Sequence, residues 1–392
     1  MASLRILAAA VVGALIAAQA PTHADAREVK IGILAPFTGP FAVWGSQYKQ
    51  AIELFLDERG TKVGENGVTL IYRDTTSQPE VGKRLAQEMI TRDKVDAIAG
   101  LALTPEALAI APVVTEANMP TVLFNSGTHF VTRKSPMFVR VSFTLDMGIL
   151  PVTAWAAQEG VKTGIVAVSD YVPGQEALKT YSEEFGKHGI TLVDGVKIPV
   201  DAKDFSPYLQ KIKDEKPDGV FLFLAVGPPA IGFMKTYAQL GLKEAGIKLY
   251  GLAEYTEVDL PSIGDAALGA VSAWHYSAMH DSAKNRAFRE ALAKKFPGAV
   301  PDTASVSAYD GMHVVYEMIA RTEGRMGPAA VEAVKGMAWE SPRGPMSIDP
   351  KERDVIENIY IRRVVKKDGM LFDEEIKTFP DVKDPWKAAH PE

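Results

Sequence analysis

Between Ile98 and Thr128 the chain reads IAGLALTPEALAIAPVVTEANMPTVLFNSGT, and this stretch narrows the possible folds more than any other. A short apolar strand ends at Gly100, a turn of small residues covers 101–104, and a helix from Pro105 keeps its apolar positions at helical spacing through Ala117. A second apolar strand, 121–124, stops at Asn125-Ser126-Gly127-Thr128. Strand, helix and strand of these lengths make a β-α-β unit, whose two polar turns fall at the same carboxyl edge of a parallel sheet. Two hydroxyl-bearing turns side by side, with backbone N–H groups at a helix start, form a cradle that suits a carboxylate.

The same rhythm runs along the chain. VKIGILA at 29–35 is the continuous apolar run of a strand buried on both faces, and 36–41 (PFTGPF) breaks it. A helix over 45–58, a turn-rich link at 60–67, a strand at 68–73 and a helix over 79–92 precede the opening unit, and an extended piece at 137–142 follows it. The pattern restarts with a helix at 146–159. Strands at 163–168, 190–198, 220–225, 248–252 and 269–274 then alternate with helices at 173–188, 205–214 and 228–240. Helices return at 285–296, 303–322 and 328–337. Residues 355–365 (VIENIYIRRVV) alternate as a half-exposed strand does, and the tail from 378 reads as loosely ordered. The expected architecture is α/β: two lobes, each a parallel sheet with flanking helices, and a cleft between them.

Residues 1–26 read as a signal peptide. Arg5 gives a positive start, an apolar run covers 6–20, and Ala24-Asp25-Ala26 is a small-x-small cleavage site. The run is short of the ~20 residues a membrane span needs. Export across the inner membrane into the periplasm, with cleavage after Ala26, is therefore expected. The remaining 366 residues (392 minus 26) suit roughly two domains. The chain has no cysteine, which excludes disulfides, thiol catalysis and thiolate metal sites. A net charge of −6 without a basic cluster argues against nucleic acid.

Enzyme signatures are missing: there is no Gly-x-Ser-x-Gly elbow, no Gly-x-Gly-x-x-Gly and no phosphate loop. His275 and His280 lie five apart without a His-Glu-x-x-His frame, so no metal or cofactor is expected. What remains is a row of strand-end turns carrying Ser, Thr, Tyr, Glu and Trp. Each alone is ordinary turn or capping chemistry. Together they point at one edge of each sheet.

Over nearly all of residues 27–392 the sequence resembles the periplasmic solute-binding proteins of branched-chain amino-acid-type ABC transporters. The resemblance rests on Lys30-Ile31-Gly32, Phe37-Thr38-Gly39-Pro40, Trp44-Gly45, Asp74-Thr75 with Pro79, Pro120-Thr121, Ser126-Gly127-Thr128, Asp170-Tyr171 with Gly174, Asp204-Phe205-Ser206, Pro217-Asp218, Tyr309-Asp310 and Ser341-Pro342-Arg343-Gly344-Pro345, in that order and spacing. It implies a type I binding fold: two Rossmann-like lobes joined by three crossings, near Val141-Ser142, Tyr276-Ser277 and residues 346–348. The lobes would then be 27–141 plus 277–346 and 142–276 plus 347–377, with a tail at 378–392.

It also implies roles. Ala102, Thr104, Ser126, Gly127 and Thr128 hold a ligand carboxylate. Trp44, Tyr171, Tyr255 and Tyr276 shape the pocket. Glu254 stands near the position where amino-acid binders of this class hold the α-ammonium, although an ungapped match puts Ala253 there. The segment Ala225-Val226-Gly227-Pro228-Pro229 offers no side-chain donor where such binders carry a tyrosine. The expected function is non-enzymatic: a monomer that captures a small aromatic or aliphatic acid, or a branched-chain amino acid, and presents it to permease subunits at the inner membrane. The alternatives are a ligand-occupancy sensor of the same fold and an exported hydrolase.

Overall fold

The structure, a computed structural model, describes residues 26–391. Apart from Ala26, the expected signal peptide lies outside the described residues. None of the described helices is long and apolar enough to cross a membrane.

The first lobe contains β1 (Glu28–Ala35), α1 (Ala42–Arg59), β2 (Lys62–Val63), β3 (Asn66–Asp74), α2 (Pro79–Glu88), β4 (Ala97–Gly100), α3 (Thr104–Glu116), β5 (Thr121–Leu123) and β6 (Phe138–Arg140). The second runs through α4 (Leu145–Gln158), β7 (Thr163–Ser169), α5 (Val172–His188), β8 (Thr191–Ile198), α6 (Ser206–Glu215), β9 (Gly219–Phe223), α7 (Pro228–Gln239), β10 (Lys248–Gly251), α8 (Leu260–Ile263) and β11 (Val271–Trp274). Then come α9 (Ala283–Lys295), α10 (Thr303–Arg321), α11 (Pro328–Val334), β12 (Ala338–Ser341), β13 (Gly344–Ile348), β14 (Val355–Lys367), β15 (Met370–Val382) and α12 (Pro385–Ala389).

The first sheet has the order β2-β3-β1-β4-β5-β6 and is parallel except for the β2–β3 hairpin. β1 is central, and its apolar side chains are shielded on both faces, as its composition requires. The second sheet runs β12-β13-β14-β11-β10-β9-β7-β8, with β15 paired to β14. Strands β7 to β11 are parallel, whereas β14 runs antiparallel to β11, β13 and β15. Both lobes place the carboxyl ends of their parallel strands at the cleft, which is where α/β sheets bind ligands.

The crossings show in the packing. Val141 belongs to the first lobe's core and Phe143 to the second's. Trp274 lies in the second core, while Tyr276 packs with Leu54, Phe288 and Val306 beside the first lobe. Met346 and Ile348, two residues apart on β13, face different cores.

Several expectations need correction. The helix begun at Pro79 loosens after Glu88 into a π turn, Met89–Asp93, ended by Lys94 at φ +55°. The helix expected to Met337 stops at Val334, and residues 338–348 form a hairpin that joins the second sheet while Ile348 packs into the first core. β14 is mostly buried instead of half exposed, because its side chains enter two cores, Ile359 and Ile361 in one and Val364 in the other. The tail is ordered, since β15 continues to Val382 and α12 follows.

Candidate functional site

Six strand ends converge on the cleft. From the first lobe, Phe41 at the end of the loop after β1 and Trp44 in the first turn of α1 contribute rings that lie 5.9 Å apart. From the second, Tyr171 at the end of β7 stacks on Phe223 of β9 at 6.2 Å and 7°. Phe143, just past the first crossing, leans on Trp274 at 4.3 Å and on His275 at 5.4 Å. These rings wall a cavity of about 40 Å³. A water needs ~10–15 Å³ on the same measure, so the lobes stand close together and the space as it is has room for only a few waters. A groove of about 1060 Å³ along residues 366–375 is larger, but the β14–β15 hairpin lines it, not the strand ends.

The polar groups of this cavity are Glu254, Thr256, Asp302 and Thr303. Glu254 is 1% exposed, and its two oxygens accept the backbone N–H groups of Leu224 (3.0 Å) and Leu252 (2.6 Å). Burial outweighs these bonds and the Arg362 charge, pushing its carboxyl up to about 7. Asp302 caps α10 through the Thr303 N–H, accepts the Thr256 hydroxyl at 2.9 Å, and is pushed by burial to about 6. The Trp274 indole donates to the Thr303 hydroxyl at 2.8 Å.

The two turns of the opening β-α-β unit are brought together. Leu101 and Ser126 both adopt left-handed backbone, φ +61° and +73°, which costs ~1–2 kcal/mol per residue without Cβ relief. Thr104 donates to Thr128 at 3.1 Å, Ser126 N–H donates to the Ala102 carbonyl at 3.2 Å, and the Ser126 hydroxyl reaches the Leu101 carbonyl at 3.3 Å. All five residues are at most 2% exposed, and none forms the wall of the cavity while the lobes stand close together. Gly127 lies behind it: a Cβ there would sit 2.4 Å from Cε2 of Phe143, so the turn needs glycine to let the ring approach.

Trp44, Tyr171 and Glu254 line the cavity. Tyr255 and Tyr276, expected to shape it, do not. The Tyr255 hydroxyl donates to the Val271 carbonyl inside the second core, and that of Tyr276 to Asn285 at 2.9 Å. Both rings are less exposed than 2%, so their side chains are consumed by core packing.

Sequence reasoning missed the arginines that hold this site. Buried Arg140 donates to the carbonyls of Ser126 (2.6 Å) and Thr128 (2.7 Å) and pairs with Asp354 at 2.8 Å, fixing the turn. Buried Arg343 donates to the carbonyls of Val141 and Ser142 on the first crossing and lies 2.7 Å from His275 Nδ1 on the second. It also pairs with Asp310 of α10 (3.0 Å) and Glu357 of β14 (3.1 Å). One guanidinium thus ties the first two crossings together, and its Nε lies 3.1 Å from Met346 Sδ at the third. An arginine flanked by Pro342 and Gly344 was the available signal, but only contacts across the fold give it a role.

Comparison with known proteins agrees with this geometry. The family model for periplasmic binding proteins matches residues 28–369. The Leu/Ile/Val-binding protein homolog 6 of Brucella melitensis biotype 1 is 44% identical over 371 residues, 93% of this chain and 95% of that one. The solute-binding protein of an ABC transporter from Rhodopseudomonas palustris BisB5, solved in complex with 3,4-dihydroxybenzoic acid, is 43% identical, with a TM-score of 0.89 over 92% of this chain and 99% of that one. Another R. palustris solute-binding protein of an ABC transporter, solved with 4-hydroxybenzoate, is also 43% identical, with a TM-score of 0.88 and the same coverage. With two parallel-sheet lobes, three crossings and a cleft at the strand ends, the chain belongs to the periplasmic binding protein family, in its branched-chain amino-acid-type solute-binding class.

Proposed function

We propose that the chain is the periplasmic solute-binding component of an ABC importer and that its cargo is a small aromatic carboxylate of the benzoate type. The observation that carries this reading is the state of Glu254: both oxygens are taken by backbone N–H groups, and burial favours the neutral acid. The Asp302 oxygens are likewise committed, to the Thr303 N–H and the Thr256 hydroxyl, so an α-ammonium entering this cavity meets no uncommitted carboxylate oxygen, and burying it unpaired costs several kcal/mol. The cavity is walled by the rings of Trp44, Phe143, Tyr171 and Trp274, the surroundings that a flat aromatic solute packs against. The two relatives solved with hydroxylated benzoates support the same class.

In this reading the lobes part to admit the acid. Thr104 and Thr128 release one another, and with Ser126 and the N–H groups at the start of α3 they take the carboxylate. Reclosure about the Arg343-tied crossings buries the ligand and presents the closed form to a permease; no bond is made or broken in the cargo.

A thermal-shift panel tests this. 4-Hydroxybenzoate, 3,4-dihydroxybenzoate and benzoate are compared with leucine, isoleucine and valine. A ligand at ~1,000 times its Kd adds about 4 kcal/mol of stability. Stabilisation by the amino acids and not by the acids overturns the proposal.

A further inference from the structure

Away from the aromatic cavity, three ligand-type side chains from three elements meet where the lobes touch. His129 begins the 3₁₀ turn His129–Lys134 of the first lobe, Asp146 lies in the first turn of α4, and Glu176 lies on α5 of the second lobe. One donor atom from each falls within 4.8 Å of the others. His129 Nδ1 stands 2.7 Å from Glu176 Oε1 and 3.6 Å from Asp146 Oδ2, and the side chains are only 11%, 9% and 4% exposed.

His129 Nδ1 lies against both carboxylates, while the second oxygen of Glu176, Oε2, is buried without a hydrogen-bond partner. Donor atoms around a four-coordinate ion at ~2.0–2.2 Å stand about 3.3–3.6 Å apart, so His129 and Asp146 are already at that spacing and an ion needs His129 and Glu176 to part by only about 0.6 Å. The surroundings hold the ligands in place. Thr180 donates to the other oxygen of Asp146 at 2.9 Å, the His129 N–H donates to Glu176 at 3.1 Å, and the imidazole stacks on Trp386 of α12 at 3.9 Å.

The local charge favours a cation. Two carboxylates face one imidazole, at 2.7 and 3.6 Å. Of the neighbouring bases, Arg140 approaches the His129 carbonyl rather than the carboxylates (3.4 Å), and Lys187 pairs with Glu184 at 2.5 Å.

We propose that His129, Asp146 and Glu176 form a divalent transition-metal site, of zinc type, that bridges the two lobes. One imidazole and two carboxylates are a donor set for Zn²⁺ or Mn²⁺. The site was illegible in the sequence because its ligands come from separate elements with no motif spacing. A cation held there favours the lobe arrangement that brings His129 to Glu176, so it is coupled to closure of the cleft.

The experiment uses the mature chain stripped with EDTA. Zn²⁺ binding is measured by calorimetry, and Co²⁺ binding by its visible absorption, which reports ligation by nitrogen and oxygen. The expected result is one saturable ion per chain, weakened at least tenfold in both His129→Ala and Glu176→Gln. Glu176→Gln keeps the side-chain volume, so it serves even if removal of the imidazole beneath Trp386 disturbs folding. Absence of saturable binding, or binding unchanged in Glu176→Gln, overturns the proposal and leaves the cluster an ion pair.

Discussion

Replacing Glu254 by Gln tests whether this carboxyl is part of the second lobe's framework or a free anion in the cleft. Its pKa in the folded chain is about 7 against an ordinary 4.5, chiefly because burial disfavours the charged form. The folded chain therefore keeps this proton to a higher pH than the unfolded chain does. The stabilisation is fully present below about pH 4.5 and is lost as the pH rises to about 7. A displacement of ~2.5 units at ~1.4 kcal/mol each puts the full loss at ~3.5 kcal/mol. Glutamine does not titrate, so Glu254→Gln lacks this slope. At low pH it starts ~1 kcal/mol less stable, because its NH₂ group faces one of two backbone donors. Between pH 4.5 and pH 8 it should gain ~3 kcal/mol relative to the parent chain. Urea unfolding of both proteins without ligand, at steps of half a pH unit, reads the difference. Glu106 and Asp302, raised to about 7 and about 6, add the same slopes to both proteins and cancel. A difference that stays flat across the window refutes the reasoning: Glu254 would then ionise as in water and be available to an ammonium.

Arg343→Met leaves Asp310 and Glu357 buried without their cation, and should cost ~3–5 kcal/mol in urea unfolding; a loss under 1 kcal/mol would remove the arginine from its place at the crossings. Gly127→Ala drives a methyl into Phe143, and should cost ~1–3 kcal/mol and weaken 4-hydroxybenzoate at least tenfold by calorimetry; an unchanged Kd would separate the turn from the cavity. Thr128→Ala removes the partner of Thr104 and should lower that affinity while the unfolding transition moves by only ~0.5–1.5 kcal/mol; equal affinity would exclude Thr128 from the carboxylate cradle.

The repeating strands and helices, the placement of their turns at one sheet edge and the two-lobed α/β fold were determined by the sequence itself. Apolar periodicity is a local property, and runs such as VKIGILA at β1 state burial on both faces without reference to any distant residue. The left-handed turns at Leu101 and Ser126 were legible as turns, from their small and polar residues, though not as strained ones. Only the tertiary structure decided what each side chain does. Tyr255, Tyr276 and Glu254 share the strand-end positions of cleft residues. Two of them spend their polar groups in cores, and the third spends its own on the amides of Leu224 and Leu252. Arg343 meets Val141 and Ser142 across about 200 residues of chain, and His129 meets Glu176 across the lobe boundary. A residue's class and spacing say which element it sits on, whereas its partner is chosen by which elements pack together, and that choice is made by the whole core at once.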